Sequence, residues 1–373
     1  MDNHRFLGMA LSFVPGTDAS FVRQMEKCGV TVEEFFTASQ LELSARLNIK
    51  FAPFLDKMVR DEALFKAKKE SEFMQRHGIM SFSLTDDDYP YRLTDIDRAP
   101  LTLYRLGNAN LDAETMMSIV GTRHSTSYGV RYVGSLVEDM AVYFPEMVIV
   151  SGLALGIDSA AHEAALKASL PTVAVVAHGL NTIYPAANRD LARRIIAAGG
   201  AIISEYPSGV TPYRSRFLER NRIVATMTDA VIVAESAEKG GAMSTAAVAS
   251  SYGRELFALP GRIGDEMSAG CNRLIRSQKA MMAGSAVEMM SMLGWQPKTV
   301  KAAPKQRDLF PELKGNEKLI YDALRFIQEP MPVDALRERT GIPIHDLMAS
   351  LGEMEFDGIV QRLPGSRFSL IQY

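Results

Sequence analysis

Cysteine is nearly missing from this chain. Cys28 and Cys271 are the only two in 373 residues. They lie too far apart for a metal-ligand spacing, and their scarcity fits a reducing compartment. Long apolar runs are missing as well: no stretch of about 18 apolar residues occurs, so no membrane-spanning helix is expected. The opening Met1-Asp2-Asn3-His4-Arg5 leads into no such run, so no signal peptide is expected and a cytoplasmic location follows. Neither Gly-x-Gly-x-x-Gly nor Gly-x-x-x-x-Gly-Lys-Ser/Thr occurs, which argues against a classical dinucleotide or ATP site. No cofactor or metal is expected. Positive charge is not in excess either, since 41 Lys and Arg stand against 44 Asp and Glu.

The net charge of −3 first argues against nucleic acid, but its distribution reverses that reading. Residues 1–70 are balanced at ten of each sign, and residues 71–315 at 25 of each. The whole acidic excess sits in residues 316–373, with six basic and nine acidic side chains. Residues 189–279 hold 13 basic against nine acidic. A local positive field can therefore exist in a protein that is acidic overall.

Three units are expected. Residues 1–75 show helical spacing broken at Pro15-Gly16 and Cys28-Gly29, as in a small SAM-like or helix-hairpin-helix-like bundle. Such a unit either seats a DNA phosphate on helix-terminal amides or serves packing and partner contacts. Residues 78–297 alternate apolar runs with helical segments. The runs are Met117–Val120, Val148–Val150, Thr172–Val176, Ala201–Ser204, Ala230–Ala234 and Leu256–Leu259. Continuous apolar runs suit strands buried on both faces, so this is a doubly wound α/β pattern with a parallel sheet. Residues 298–315 read as a linker. Residues 316–373 read as helix, helix-turn-helix and hairpin, the winged-helix pattern. Its third helix, Ile344–Phe356, carries Asp346, Glu353 and Glu355 and no Lys or Arg, which disfavours DNA reading there and favours protein contact or packing.

Ligands of an open parallel sheet bind beyond the carboxyl ends of its strands. Glycine-bearing loops fall there repeatedly: Gly121-Thr122-Arg123, Ser151–Asp158 with Gly152 and Gly156, Gly179-Leu180, Gly240-Gly241 through Ser244-Thr245, and Pro260-Gly261. Glycine brings the backbone close to a ligand and leaves amides free, and a following helix adds favourable charge for phosphate. One such loop is also what βα sterics alone demand; several on one rim point to a phosphate-bearing ligand.

Between the fourth and fifth runs lies Arg214-Ser215-Arg216-Phe217-Leu218-Glu219-Arg220-Asn221-Arg222, four arginines and one glutamate in nine residues. Guanidinium forks suit phosphates, and an aromatic among them can stack on a base for about 1–3 kcal/mol. The same run fits a solvated helix N-terminus with Phe217 in the core, and some arginines there can anchor loops through Glu205 or Glu235. Catalytic constellations are thin. Asp158 and His162 share a helix face without a nucleophile, and Glu205 and Glu235 suit loop anchoring or acid–base work.

In order and combination these motifs resemble the DNA processing protein A (DprA/Smf) family. The resemblance runs from about 80 to 290. It rests on Val120–Arg123, Ser151–Asp158, Gly179-Leu180 with Tyr184-Pro185, Ser204–Gly209, Arg220-Asn221-Arg222, Gly240–Ala246, Ala258–Gly261 and Gly270–Ile275. It implies an extended Rossmann domain that dimerises, and a non-enzymatic protein that protects incoming single-stranded DNA in natural transformation and helps load the RecA recombinase. By motif it implies phosphate contacts from Gly121, Thr122 and Arg123, backbone and base contacts from Arg214 and Phe217, and a rim shaped by Asn221 and Arg222. Ser244 and Thr245 would add donors. Gly152, Gly156, Gly179, Arg220, Gly240 and Gly241 complete the implied DNA-binding set. Leu155 stands where the family usually has arginine, Leu218 where proline is common, and the Gly240–Ala246 loop is looser than usual. A rival is a nucleotide-processing phosphoribohydrolase on a related scaffold, but Lys239–Thr245 lacks that class's Pro-Gly-Gly-x-Gly-Thr and catalytic glutamate.

Overall fold

Nine strands form one sheet whose interior is made almost wholly of side chains that cannot face water. A computed structural model describes residues 2–50, 52–296, 313, 315–327, 330–356, 359–363 and 366–370. The strands are β1 (Ile79–Ser83), β2 (Thr102–Gly107), β3 (Met116–Gly121), β4 (Val148–Ser151), β5 (Thr172–Val176), β6 (Ala201–Ser204), β7 (Ala230–Glu235), β8 (Glu255–Ala258) and β9 (Met281–Met282). Their order is β1-β2-β6-β5-β4-β3-β7-β8-β9. From β6 to β9 every pairing is parallel. β2 runs antiparallel to β6 and β1 antiparallel to β2. The six apolar runs of the sequence are thus the central strands of a mixed α/β sheet.

Both sheet faces are covered, as continuous apolar strands require. On one face Val150, Val173, Val231 and Val233 pack with Ile223, Val224, Ala246 and Ala249 from helices Arg214–Thr226 and Gly241–Ser251. On the other, Ile119, Ile149 and Ile232 meet Val133, Leu136, Ala161 and Ala165 from helices Ser127–Tyr143 and Ile157–Lys167. The sheet order reverses at β3 and β7. Chain leaving β3 turns one way and chain leaving β7 the other, so a crevice opens at their carboxyl ends.

Residues 3–77 form five helices. Side chains cap all five, the first four through Asp2, Asp18, the reciprocal Thr31/Glu34 pair and Ser39. The long helix Lys57–His77 is capped by Asp56 and stops at Gly78, whose φ of +66° suits glycine. The core of this bundle holds Phe21 and Phe35, edge to face at 5.5 Å. It continues onto Ile79 of β1 and Tyr104 of β2, so the bundle rests on the antiparallel edge of the sheet.

The C-terminal unit is a compact body of its own. Helices Asn316–Ile327, Val333–Thr340 and Ile344–Phe356 enclose Ile320, Leu324, Leu336, Leu347 and Leu351. A three-stranded antiparallel sheet pairs Arg367–Leu370 with both Met331–Pro332 and Val360–Leu363. This is a winged helix. The linker expected at 298–315 lies outside the described residues except for Leu313 and Gly315, as does the hairpin turn at Pro364-Gly365.

Candidate nucleic-acid interface

A cleft of about 1160 Å³ opens at the β3/β7 reversal. Its walls come from five places in sequence: the loop after β3, the loop after β4, Tyr184 of the loop after β5, helix Arg214–Thr226 with the two residues before it, and the loop and helix start after β7. Among the described residues Asp158 is the only acidic side chain lining it, against Arg123, Arg214, Arg220 and Lys239.

Helical geometry divides the arginine cluster. Residues about 100° apart on a helix face different ways. Tyr213, Arg214, Phe217, Leu218 and Asn221 line the cleft. Arg216 turns away, donates to the Thr211 carbonyl and lies over the Tyr206 ring at 5.6 Å. Arg222 pairs with Glu205 at 2.6 Å and lies outside the lining. Burial works against its charge, but the Glu205 carboxylate outweighs that and raises its pKa. Arg220 forms the floor. It is 4% exposed and donates from Nη1 to the Val175 carbonyl at 2.6 Å, while its buried Nε has no partner. Burial lowers its pKa, partly offset by Asp158.

Two glycines let this floor exist. A Cβ on Gly152 would collide with the Arg220 guanidinium and would stand 2.6 Å from Asp158 Oδ2. Gly156 has φ +80°, and a side chain there would run into the Thr122 carbonyl and the Arg123 backbone. The β4 loop thereby presses against the β3 loop, with the Ile157 amide donating to Thr122 O at 3.1 Å.

Glu235 fixes the β3 loop from below. Its backbone carbonyl accepts from the Thr122 amide at 2.7 Å, and its carboxylate accepts from the Thr126 amide at 2.8 Å and from the Thr126 hydroxyl. Between these clamps Arg123 is held exposed over the half-buried Phe217 ring, at 5.5 Å from its centroid. Tyr184 also adjoins Phe217, ring centroids 5.7 Å apart and tilted by 52°. Helix Gly241–Ser251 starts with no side-chain cap, and its first turn, Gly241, Ala242, Ser244 and Thr245, lines the cleft.

The residues suited to acid–base work are otherwise engaged. Glu205 holds Arg222 and Glu235 holds the β3 loop. Asp158 is 7% exposed and accepts from the Ala154 amide at 3.3 Å; burial pushes its carboxyl up, against the pull of Arg220. His162 is fully buried with Nδ1 2.7 Å from Thr172 Oγ1, and burial together with Arg220 pushes it down to about 3. His178 accepts the Tyr184 amide at Nε2, 3.2 Å, so Nδ1 carries the proton facing Gly179 O.

Of the residues singled out in the sequence, Gly121, Thr122, Arg123, Gly152, Arg214, Phe217, Arg220, Asn221, Gly240, Gly241, Ser244 and Thr245 meet on this one cleft. Gly156, Gly179 and Arg222 do not line it. Gly156 and Arg222 hold its walls, and Gly179 is a buried residue of the loop after β5, its amide on Val210 O. Tyr184, Tyr213, Leu218, His124 and Lys239 line the cleft without having been among the candidates. Helical spacing from Phe217 was the signal available for Tyr213.

A family model for DNA recombination-mediator protein A matches residues 81–294, more than half of the chain. The chain belongs to the DNA recombination-mediator protein A family. Every cleft-lining residue falls inside that match. A second model, the DprA winged helix domain, matches residues 302–366. Protein Smf of Escherichia coli is 35% identical over 287 residues, 74% of each chain. The DNA processing protein DprA of Streptococcus pneumoniae is 41% identical over 196 residues, 52% of this chain and 68% of the relative. The X-ray structure of the S. pneumoniae protein superposes with a TM-score of 0.57 at 31% identity, covering 74% of this chain and 98% of that one. The structure of DNA processing protein A from Helicobacter pylori, described for its single-stranded DNA binding mode, gives 0.52 at 32% identity, covering 58% and 95%. Among the described residues no helix is long and apolar enough to cross a membrane.

Proposed function

We propose that this protein is a single-stranded DNA-binding recombination mediator and that the β3/β7 cleft is its strand site. The observation that carries this reading is the pairing of cations with accessible aromatic faces. Arg123, Arg214 and Lys239 form no ion pair among the described residues, and they share the cleft with Phe217 and with Tyr184 and Tyr213, which are 47% and 65% exposed. Guanidinium and ammonium groups neutralise phosphates, and aromatic faces take unpaired bases. A duplex hides its base faces in the stack, so the combination favours a single strand read without sequence preference.

The family supports the wider role: holding and protecting incoming single strands in natural transformation, and passing them to the RecA recombinase. We further propose that the protein acts as a cytoplasmic homodimer through its Rossmann-like part, and without catalysis. The acidic side chain on the cleft wall, Asp158, is buried and accepts the Ala154 amide, which favours binding over nucleotide hydrolysis. The test is a filter-binding comparison of single- and double-stranded DNA across salt concentration. The proposal expects tighter, salt-sensitive, sequence-tolerant binding of the single strand. Equal affinity for duplex, or none for either, contradicts it. Adding recombinase to the preformed complex then tests delivery.

A further inference from the structure

The long helix Lys57–His77 buries one stripe: Arg60, Ala63, Ala67, Glu70 and Met74. Spaced three and four apart, these residues form the helix face turned to the core. A carboxylate in such a stripe is costly unless it is hydrogen-bonded. Glu70, 6% exposed, finds its partners 138 residues away: Oε1 accepts the Ser208 amide at 2.9 Å and Oε2 the Ser208 hydroxyl at 2.5 Å. Ser208 belongs to the segment that joins β6 to helix Arg214–Thr226, the segment that delivers Tyr213 and Arg214 to the cleft.

A second attachment lies alongside. The loop after β5, which carries Tyr184, sends Leu180 onto the core of the helical bundle. The two loops are also tied to each other, Gly179 N to Val210 O at 2.9 Å and Gly209 N to Asn181 Oδ1 at 2.9 Å. One cleft wall, with Tyr184, Tyr213 and Arg214, is therefore a pair of cross-linked loops held to the helical bundle at two points, by Leu180 packed on the bundle core and by Glu70 on Ser208.

We propose that the N-terminal helical bundle positions the strand-binding wall of the cleft, with Glu70 as the positioning residue. This rests on the cleft being the strand site. The bundle then acts on DNA binding without touching DNA, and an event at the bundle can change affinity at the cleft.

The test uses the full chain and an oligo-dT strand. Glu70→Ala should speed amide hydrogen exchange across residues 206–213 and weaken oligo-dT binding about fivefold, the size of one net hydrogen bond. Glu70→Gln, which keeps an acceptor for the Ser208 amide, should recover part of that loss. Paired with Arg214→Ala, the loss from Glu70→Ala should be less than additive, because both act through one wall. If Glu70→Ala does not fold, Ser208→Ala removes the hydroxyl bond alone and serves the same comparison. Unchanged affinity in a folded variant, or strict additivity with Arg214→Ala, overturns the proposal. A wild type that binds no strand overturns the site itself, and the exchange at 206–213 still reports whether Glu70 holds the loop.

Discussion

Arg222 and Glu205 meet fork to fork, Nη1 to Oε1 at 2.7 Å and Nη2 to Oε2 at 2.6 Å, while Nε donates to the Arg98 carbonyl at 2.7 Å. Each of its three nitrogens donates to a partner inside the protein. Removing one partner of a largely buried pair strands the other, at a cost of about 3 kcal/mol. Arg222→Ala should lower unfolding stability by about that amount in urea titration. The salt dependence of strand binding by the folded fraction should stay as in the wild type.

Gly152 offers a sharper structural test. A methyl group there must displace Arg220 or Asp158, both of which are buried and hydrogen-bonded. Gly152→Ala should destabilise the protein by about 2 kcal/mol, read from its denaturation midpoint. A wild-type midpoint would show that the floor is looser than its geometry.

Acid should loosen the same region. His162 titrates at about 3 in the folded protein against an ordinary 6.5, because burial disfavours its charged form. Between those values the unfolded chain binds a proton that the folded chain does not. His162 therefore contributes fully above pH 6.5, and that contribution drains away as pH falls toward 3. Wild type should lose about 1.4 kcal/mol more per pH unit across this window than His162→Gln. Parallel stability curves for the two proteins would contradict the assignment.

The two cysteines should separate by reactivity. Cys28 is exposed, whereas Cys271 is buried, donates to Val233 O at 3.3 Å and has its thiol pushed up to about 12 by burial. A thiol reagent should modify one cysteine in the native protein and both in denaturant.

The central strands were legible because parallel strands buried on both faces must be continuously apolar, as in Ala230–Ala234. β1 and β2 were not. They hold Ser81, Ser83, Thr102 and Arg105 and run antiparallel at the edge, where no such pattern is imposed. β9 is two residues long, too short for any pattern. The location of the cleft followed from the glycine loops at strand ends. The separate duties of Arg214, Arg216, Arg220 and Arg222 did not, because composition marks a cluster while helical phase decides which side chain faces the cleft. Glu70 was illegible for another reason: its partner lies 138 residues away, and only the fold brings them together.

The most direct test of the strand site is the salt dependence of oligo-dT affinity in wild type and in Arg123→Ala/Arg214→Ala. Each phosphate contact on a single strand adds about 0.7 to the slope of log affinity against log salt. Loss of both arginines should therefore lower the slope by about 1.4 and weaken binding at low salt, with the unfolding midpoint unchanged. A folded double variant with wild-type slope and affinity would place the strand elsewhere on the protein.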